Sequence, residues 1–257
     1  MSSTTQATDS SVAVVGGRLV TPETVIDGGV RIEGDRIAEV GDIVDDADTV
    51  IDADGRLVLP GLVDIHGDDI EKHLHPRSGA RMDTSMALAS TDRANVAAGI
   101  TTKFHAISFK LDEEADRSPE LAATLTDAIT TANELLVDHR LHARCEVTQK
   151  RCVKAVLEVV DNGDTDLVSV MSHIPGKGQF RDIESFRSYY ENDANHTIEE
   201  AEEMIETRMS IPMSTIRERV DRVVNRAHEA GVVTASHDDE NPQEVERLCE
   251  SGVDISE

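Results

Sequence analysis

From Val12 to about Leu59 the apolar positions come in short runs, Val12–Val15, Val30–Ile32 and Ile37–Val40, broken by Gly16-Gly17, Gly28-Gly29 and Gly34-Asp35. Short runs punctuated by turn residues predict strands. Residues 12–60 are therefore read as a small all-β module, at roughly 50 residues uncomfortable alone. After Pro60-Gly61 the rhythm changes to strand followed by helix. Apolar runs predict strands at Leu62–His66, Ile100–Ser108, Leu141–Thr148, Leu167–His173, Val232–Ser236 and Val253–Ser256. Between them, Ser118-Pro119-Glu120 reads as N-cap and first turn of a helix whose apolar positions are Leu121, Leu125, Ile129, Ala132 and Leu136. A second helix runs from about Lys150 to Asn162 and stops at Gly163. Thr197-Ile198-Glu199-Glu200 and Asn241-Pro242-Gln243-Glu244 resemble capping boxes for two more.

Repeated βα units predict an α/β fold with a parallel sheet, either closed as a barrel or open and doubly wound. No GxGxxG or GxxxxGK[ST] follows the first of these strands, which argues against a nucleotide-binding Rossmann or P-loop unit. Chemically capable side chains fall instead at or near the carboxyl ends of several strands: His66, His105, Glu146, His173 and His237. That distribution is expected of a (β/α)8 TIM-like barrel. Such a barrel needs eight strands and about six are legible, the sixth breaking off at Glu257, so the barrel at 61–257 is expected to be incomplete and the chain cut short.

Composition narrows the function. The 257 residues carry 51 acidic against 25 basic side chains and a formal charge of −26, which argues against a nucleic-acid partner. Only six of the basic residues are lysines, and an acidic, lysine-poor surface suits work in high salt, where screening suppresses self-repulsion. Cys145, Cys152 and Cys249 make no CxxC spacing and no disulfide framework, and are expected to be reduced and largely buried. Residues 1–11 read as a disordered polar leader without the basic and apolar regions of a secretory signal. No apolar run approaches the ~20 residues that span a bilayer. The expectation is a cytoplasmic protein with no membrane partner.

His66 and Asp68 stand at i and i+2, on one side of an extended segment. Imidazole and carboxylate together suit zinc or another divalent first-row ion. Glu146, His173 and His237 each end an apolar run, and their joint placement at strand ends marks a metal site more strongly than any one of them would. Cations gather beside these positions: Lys72, Arg77 and Arg81 after the first strand, and Lys177 and Arg181 after His173. Pro175-Gly176-Lys177-Gly178 reads as a loop whose amides and ammonium can hold phosphate oxygens. Asp238 or Asp239 would assist proton transfer, and His142 and Arg144, in phase with Glu146, would support the ligands.

The block Asp52–His66 resembles the entry to amidohydrolase-superfamily barrels, and the β module before it resembles the small β-sandwich those enzymes carry. GLVDIHGDDIEKHLHPR (61–77), GITT (99–102), HRLHARCE (139–146), LVSVMSHIPGKGQF (167–180), YY (189–190) and ASHDD (235–239) are similar in order and spacing to the PhnM-like family of α-D-ribose 1-methylphosphonate 5-triphosphate diphosphatases of the carbon–phosphorus lyase pathway. The resemblance implies a metal-dependent hydrolase that releases pyrophosphate from a phosphorylated ribose phosphonate, with zinc as the metal and manganese or magnesium as alternatives. By that pattern His66, Asp68, Glu146, His173 and His237 match the metal positions, with Asp68 in place of the second histidine of the usual HxH pair. Members of the family continue beyond this point to a last-strand aspartate. The alternatives are another amidohydrolase chemistry, cyclic-amide hydrolysis or deamination, or an inactive fragment that at most binds metal or phosphate. Homo-oligomerisation is left open.

Overall fold

The computed structural model describes residues 10–43, 46–77, 79–112, 116–178, 180–192, 196–237 and 239–256. The leader read over residues 1–11 lies outside them except for Ser10 and Ser11. The chain divides into two compact units, one up to Gly61 and one from Leu62 on.

The first unit holds β1 (Ser11–Val20), β2 (Val25–Glu33), β3 (Arg36–Gly41), β4 (Thr49–Asp52) and β5 (Leu57–Val58). They pair in the order β3-β2-β1-β4, with β5 also on β1. One edge of β1 takes β2 antiparallel along its whole run, and the other is shared end to end by β4 and β5, both parallel. A bulge between Val14 and Gly17, with Gly16 at φ 65°, separates the two stretches.

The second unit runs β6 (Leu62–Gly67), α1 (Asp69–Leu74), α2 (Thr84–Ala97), β7 (Ile100–Phe109), α3 (Pro119–Thr131), β8 (Asp138–Glu146), α4 (Lys150–Asn162), β9 (Leu167–Met171), α5 (Ile183–Asn192), α6 (Ile198–Met209), α7 (Met213–Glu229), β10 (Val233–Ser236) and α8 (Pro242–Glu250). The sheet is parallel throughout and its order, β6-β7-β8-β9-β10, is the order of the sequence. A doubly wound sheet would reverse direction from its first strand; this one progresses one way, as a TIM-like barrel wall does. The sixth strand expected at Val253–Ser256 is only a parallel bridge, Ala235 to Ile255: Ile255 donates to the Thr234 carbonyl at 3.1 Å and Ser236 to the Ile255 carbonyl at 2.9 Å.

Alternation along β8 sets the layers. Leu141, Ala143 and Cys145 pack into the core with Val153 and Val156 of α4 and Val220 and Val224 of α7, which turns His142, Arg144 and Glu146 to the other face. Cys145 and Cys152 are buried thiols, whereas Cys249 is exposed on α8, contrary to expectation. Ser118 caps α3 through Leu121 N at 3.1 Å, and Gly163 ends α4 at φ 78°. The apolar series through Leu136 overshoots, because α3 stops at Thr131 and Asp92 of α2 takes the amides of Leu136 and Val137 instead. The Thr197–Glu200 capping box is complete. At Asn241 only half forms: Asn241 caps the Glu244 amide at 3.0 Å, while the Glu244 carboxylate is committed to Lys177. A separate apolar cluster of Phe180, Phe186, Tyr190, Ala201 and Ile205 welds α5 to α6. Among the described residues no helix is long and apolar enough to cross a membrane.

Candidate functional site

His66 is the penultimate residue of β6, Glu146 ends β8, His173 follows β9 by two residues and His237 follows β10 by one. All four therefore stand at the carboxyl ends of the parallel strands. The structure brings three of the expected ligands together. The His66 ring lies 5.3 Å from that of His237, centroid to centroid, and its Nε2 is 3.9 Å from Asp68 Oδ1. Between Asp68 and His237 stands the guanidinium of Arg144, which donates from Nη1 to Asp68 Oδ1 at 3.2 Å and from Nη2 to His237 Nε2 at 3.0 Å. Arginine has no acceptor, so both partners present lone pairs to it. His142, edge-on to His66 at 5.2 Å, accepts no such role. Its Nδ1 donates to the Ile65 carbonyl at 3.0 Å, which leaves Nε2 to accept from Ser169 Oγ at 2.8 Å, and the ring ties β6, β8 and β9 together.

Glu146 and His173 form a second, buried group. His173 Nδ1 donates to Glu146 Oε2, and Glu146 Oε1 accepts from the Thr148 hydroxyl at 2.5 Å and the Thr148 amide at 3.2 Å. Burial alone would raise the Glu146 pKa; the neighbouring His173, then Arg208 and the Thr148 hydroxyl, more than reverse it, to about 2. His173 is pushed down by burial. The pair is thus a carboxylate held by the imidazole at Nδ1, with Nε2 as the other ring nitrogen. This is how a histidine is oriented for a metal. Arg208, 4% exposed on α6, anchors the group by donating to the His173 carbonyl at 2.7 Å and to the Tyr190 hydroxyl at 3.2 Å. Lys110 reaches the same hydroxyl at 2.9 Å and pairs with buried Asp112, which also meets His196 at 2.9 Å. Sequence reasoning missed this chain. Its legible signal was Arg208 at a core position of α6, in step with Ala201 and Ile205 at i, i+4 and i+7.

His105 does not belong with the others. It lies in the middle of β7, with Nε2 2.7 Å from His139 Nδ1, and His139 Nε2 is 3.0 Å from Asp92 Oδ1 on α2. The chain runs toward the helices, not the strand mouths. Lys103 is likewise inward, crossing above Gly67 to Asp64 Oδ2 at 2.6 Å and Asp69 Oδ1 at 3.1 Å.

Of the anion-binding candidates, Lys177 lines a cavity together with His237, Asp239, Ser172 and Ser236. Its ammonium is held by Glu244 at 2.9 Å, and the Gly178 amide by Glu240 at 2.8 Å. Lys72, Arg77 and Arg181 are exposed, and Arg81 is 3.8 Å from Asp116, none of them lining that cavity. Asp239 Oδ2 accepts from Ser236 Oγ at 2.5 Å and Ser256 Oγ at 2.6 Å, bracing the turn after β10. Asp238, the other acid–base candidate, lies outside the described residues.

Imidazole and carboxylate are the donors a divalent first-row ion takes, and a cation already bridges two of them, so the chemistry of the set fits a metal. As arranged, with Arg144 between Asp68 and His237, no three His, Cys, Asp or Glu side chains among the described residues are grouped to hold one.

No protein-family model matches the chain. It is 26% identical over 243 residues, 93% of this chain and 64% of the relative, to the α-D-ribose 1-methylphosphonate 5-triphosphate diphosphatase of Escherichia coli (strain K12). A dihydroorotase of Bacillus licheniformis is 38% identical over 74 residues, 28% of this chain and 15% of that protein. Among solved structures, a D-hydantoinase superposes with a TM-score of 0.53 at 17% identity, covering 95% of this chain and 56% of that one. The fold is that of the hydantoinase barrels with their β module. The chain spans less than two thirds of the length of the relatives it matches.

Proposed function

We propose that this protein is a metal-dependent hydrolase of the amidohydrolase superfamily that releases pyrophosphate from α-D-ribose 1-methylphosphonate 5-triphosphate. The observation that carries the reading is the similarity to a diphosphatase of that name along 93% of the chain. It is supported by imidazole and carboxylate groups at the carboxyl ends of consecutive parallel strands, where barrels of this kind keep their chemistry.

His66, Asp68 and His237 would hold a divalent ion, zinc first with manganese or magnesium as alternatives, and Glu146 and His173 would complete the set. Such an ion supplies a water of lowered pKa and a Lewis acid toward phosphoryl oxygens. The chain's own residues do the rest. His142 fixes the rim by joining three strands. Arg208 holds the His173 backbone, and Thr148 holds Glu146 in its ionised state. Lys177 and Arg144 offer cations to phosphoryl oxygens once they leave Glu244 and Asp68. Asp238 and Asp239 remain the candidates for proton transfer, with Lys72, Arg77, Arg81 and Arg181 as outer anion contacts. Incubation with the ribose 5-triphosphate and Zn2+ or Mn2+, followed by phosphorus NMR, should show pyrophosphate and the 5-phosphate. Release of single phosphates, or turnover unaffected by chelation, would sink the proposal.

A second reading, hydrolysis of a cyclic amide, draws on the pairing of the loop cations. With Lys177 held by Glu244 and the Gly178 amide by Glu240, the loop as it stands presents little free positive charge, and a neutral ring needs none. Turnover of dihydroorotate or a hydantoin in preference to the triphosphate would favour it.

A further inference from the structure

Arg144 touches two of the proposed ligands at once. Its guanidinium meets Asp68 Oδ1 and His237 Nε2. As an obligate donor it takes the same lone pairs that a metal ion requires. Its hold is shallow: the Asp68 side chain is 54% exposed, and an ion pair with so open a partner contributes little. The guanidinium is also incompletely satisfied, because its Nε is buried without a hydrogen-bond partner. Yet Arg144 itself is rooted on β8, two residues before Glu146 and on the same face of the strand. Displacing the guanidinium would therefore move it within the strand mouth, not away from it.

We propose that Arg144 is an internal competitor for the metal position, a tethered cation that holds Asp68 and His237 together until a divalent ion displaces it and thereby frees it for an anionic group of the substrate. This rests on the reading of His66, Asp68 and His237 as metal ligands. The same positive charge serves two states. Without metal it neutralises Asp68 and keeps the lone pair of His237 engaged; with metal it becomes an unpaired arginine beside the ion. Metal binding and readiness for a phosphorylated substrate are then one event.

The test is Co2+ affinity, read by competition with a chelating dye and by the visible absorption of the bound ion, for the wild-type chain, Arg144→Met and Arg144→Lys. Competition predicts that Arg144→Met binds Co2+ about two- to fivefold more tightly, with Arg144→Lys between it and the wild type, since an ammonium cannot span both partners. Unchanged or weaker binding by a folded Arg144→Met protein, verified by circular dichroism, would overturn the proposal. If that variant does not fold, the wild type still decides the matter. Nitrogen-15 NMR of the arginine Nε–H groups, with Arg144 assigned through Arg144→Lys, should show its signal moving on addition of Zn2+, and a signal that stays put would overturn the proposal. No substrate enters either measurement, so a failed diphosphatase assay and a failed competition remain distinguishable.

Discussion

His105 carries a strong pH signature. It is fully buried in β7, and burial first, then the adjacent His139 and Lys103, push its pKa from the ordinary 6.5 down to about 3. The folded chain therefore keeps this imidazole neutral through the whole range in which the unfolded chain takes up a proton. Stability is present in full above pH 6.5 and is lost as the pH falls from 6.5 toward 3. At pH 5 the unfolded state gains about 2 kcal/mol from protonating this one group, and at pH 7 only about 0.2 kcal/mol. The loss of about 2 kcal/mol between pH 7 and pH 5 is assignable because carboxylates titrate mostly below this window. His173 shifts in the same direction, so the wild-type loss should exceed the His105 share alone.

The perturbation is His105→Gln, which removes the titrating group and keeps a polar side chain facing His139. Urea denaturation followed by circular dichroism at pH 5, 6 and 7 gives the free energy for both proteins. The variant starts lower, having lost the contact to His139 at 2.7 Å, but its stability should fall by about 2 kcal/mol less than that of the wild type over the same interval. Parallel pH profiles would refute the reasoning, because they would mean that His105 takes up its proton without unfolding.

Gly67→Ala should cost about 2–3 kcal/mol by thermal denaturation, because the added Cβ would fall 1.8 Å from Lys103 Cε and force that lysine off Asp64 and Asp69; the penalty should shrink in a Lys103→Met background. Asp92→Ala should cost about 2–4 kcal/mol in urea, since one oxygen serves the Leu136 and Val137 amides and His139 Nε2. Ser118→Ala, which removes the cap on α3, should cost about 1 kcal/mol in the same assay, and a neutral result would mean that Pro119 alone starts the helix.

The strands were legible where apolar runs met turn residues, and β6, β7 and β9 begin where the runs begin. Helix starts were legible from single caps such as Ser118 and Thr197, because the cap satisfies amides within its own turn. What stayed hidden depends on facing. His105 ends no strand and shares its face with Ile107 and Phe109, both in the helix-side core; strand parity, not proximity to a strand end, was the informative quantity. The pairing of the Pro175–Gly178 loop with Glu240 and Glu244 joins residues more than sixty positions apart, and no local pattern encodes it. The final run at Val253–Ser256 has strand-like composition, but its ladder here is a single bridge to β10.

The surplus of acid in this chain bears directly on the choice of substrate. Cations around the strand mouths are matched with carboxylates: Arg144 with Asp68, Lys177 with Glu244, Arg117 with Glu71 and Arg81 with Asp116. The most open of these, Arg81 with Asp116 and Arg144 with Asp68, contribute about 0–1 kcal/mol each and weaken further in salt. A triphosphate carries several charges and can exchange one carboxylate after another for phosphoryl oxygens at small cost, whereas a neutral ring gains nothing by opening them. On the proposed reading, a metal ion taking Asp68 would remove one of those carboxylates without consuming a cation, and the guanidinium it released would be an added attraction for an anion alone. An acidic composition is therefore compatible with a phosphorylated small molecule as substrate. On the proposed reading, positive charge in this site would be released on demand rather than displayed.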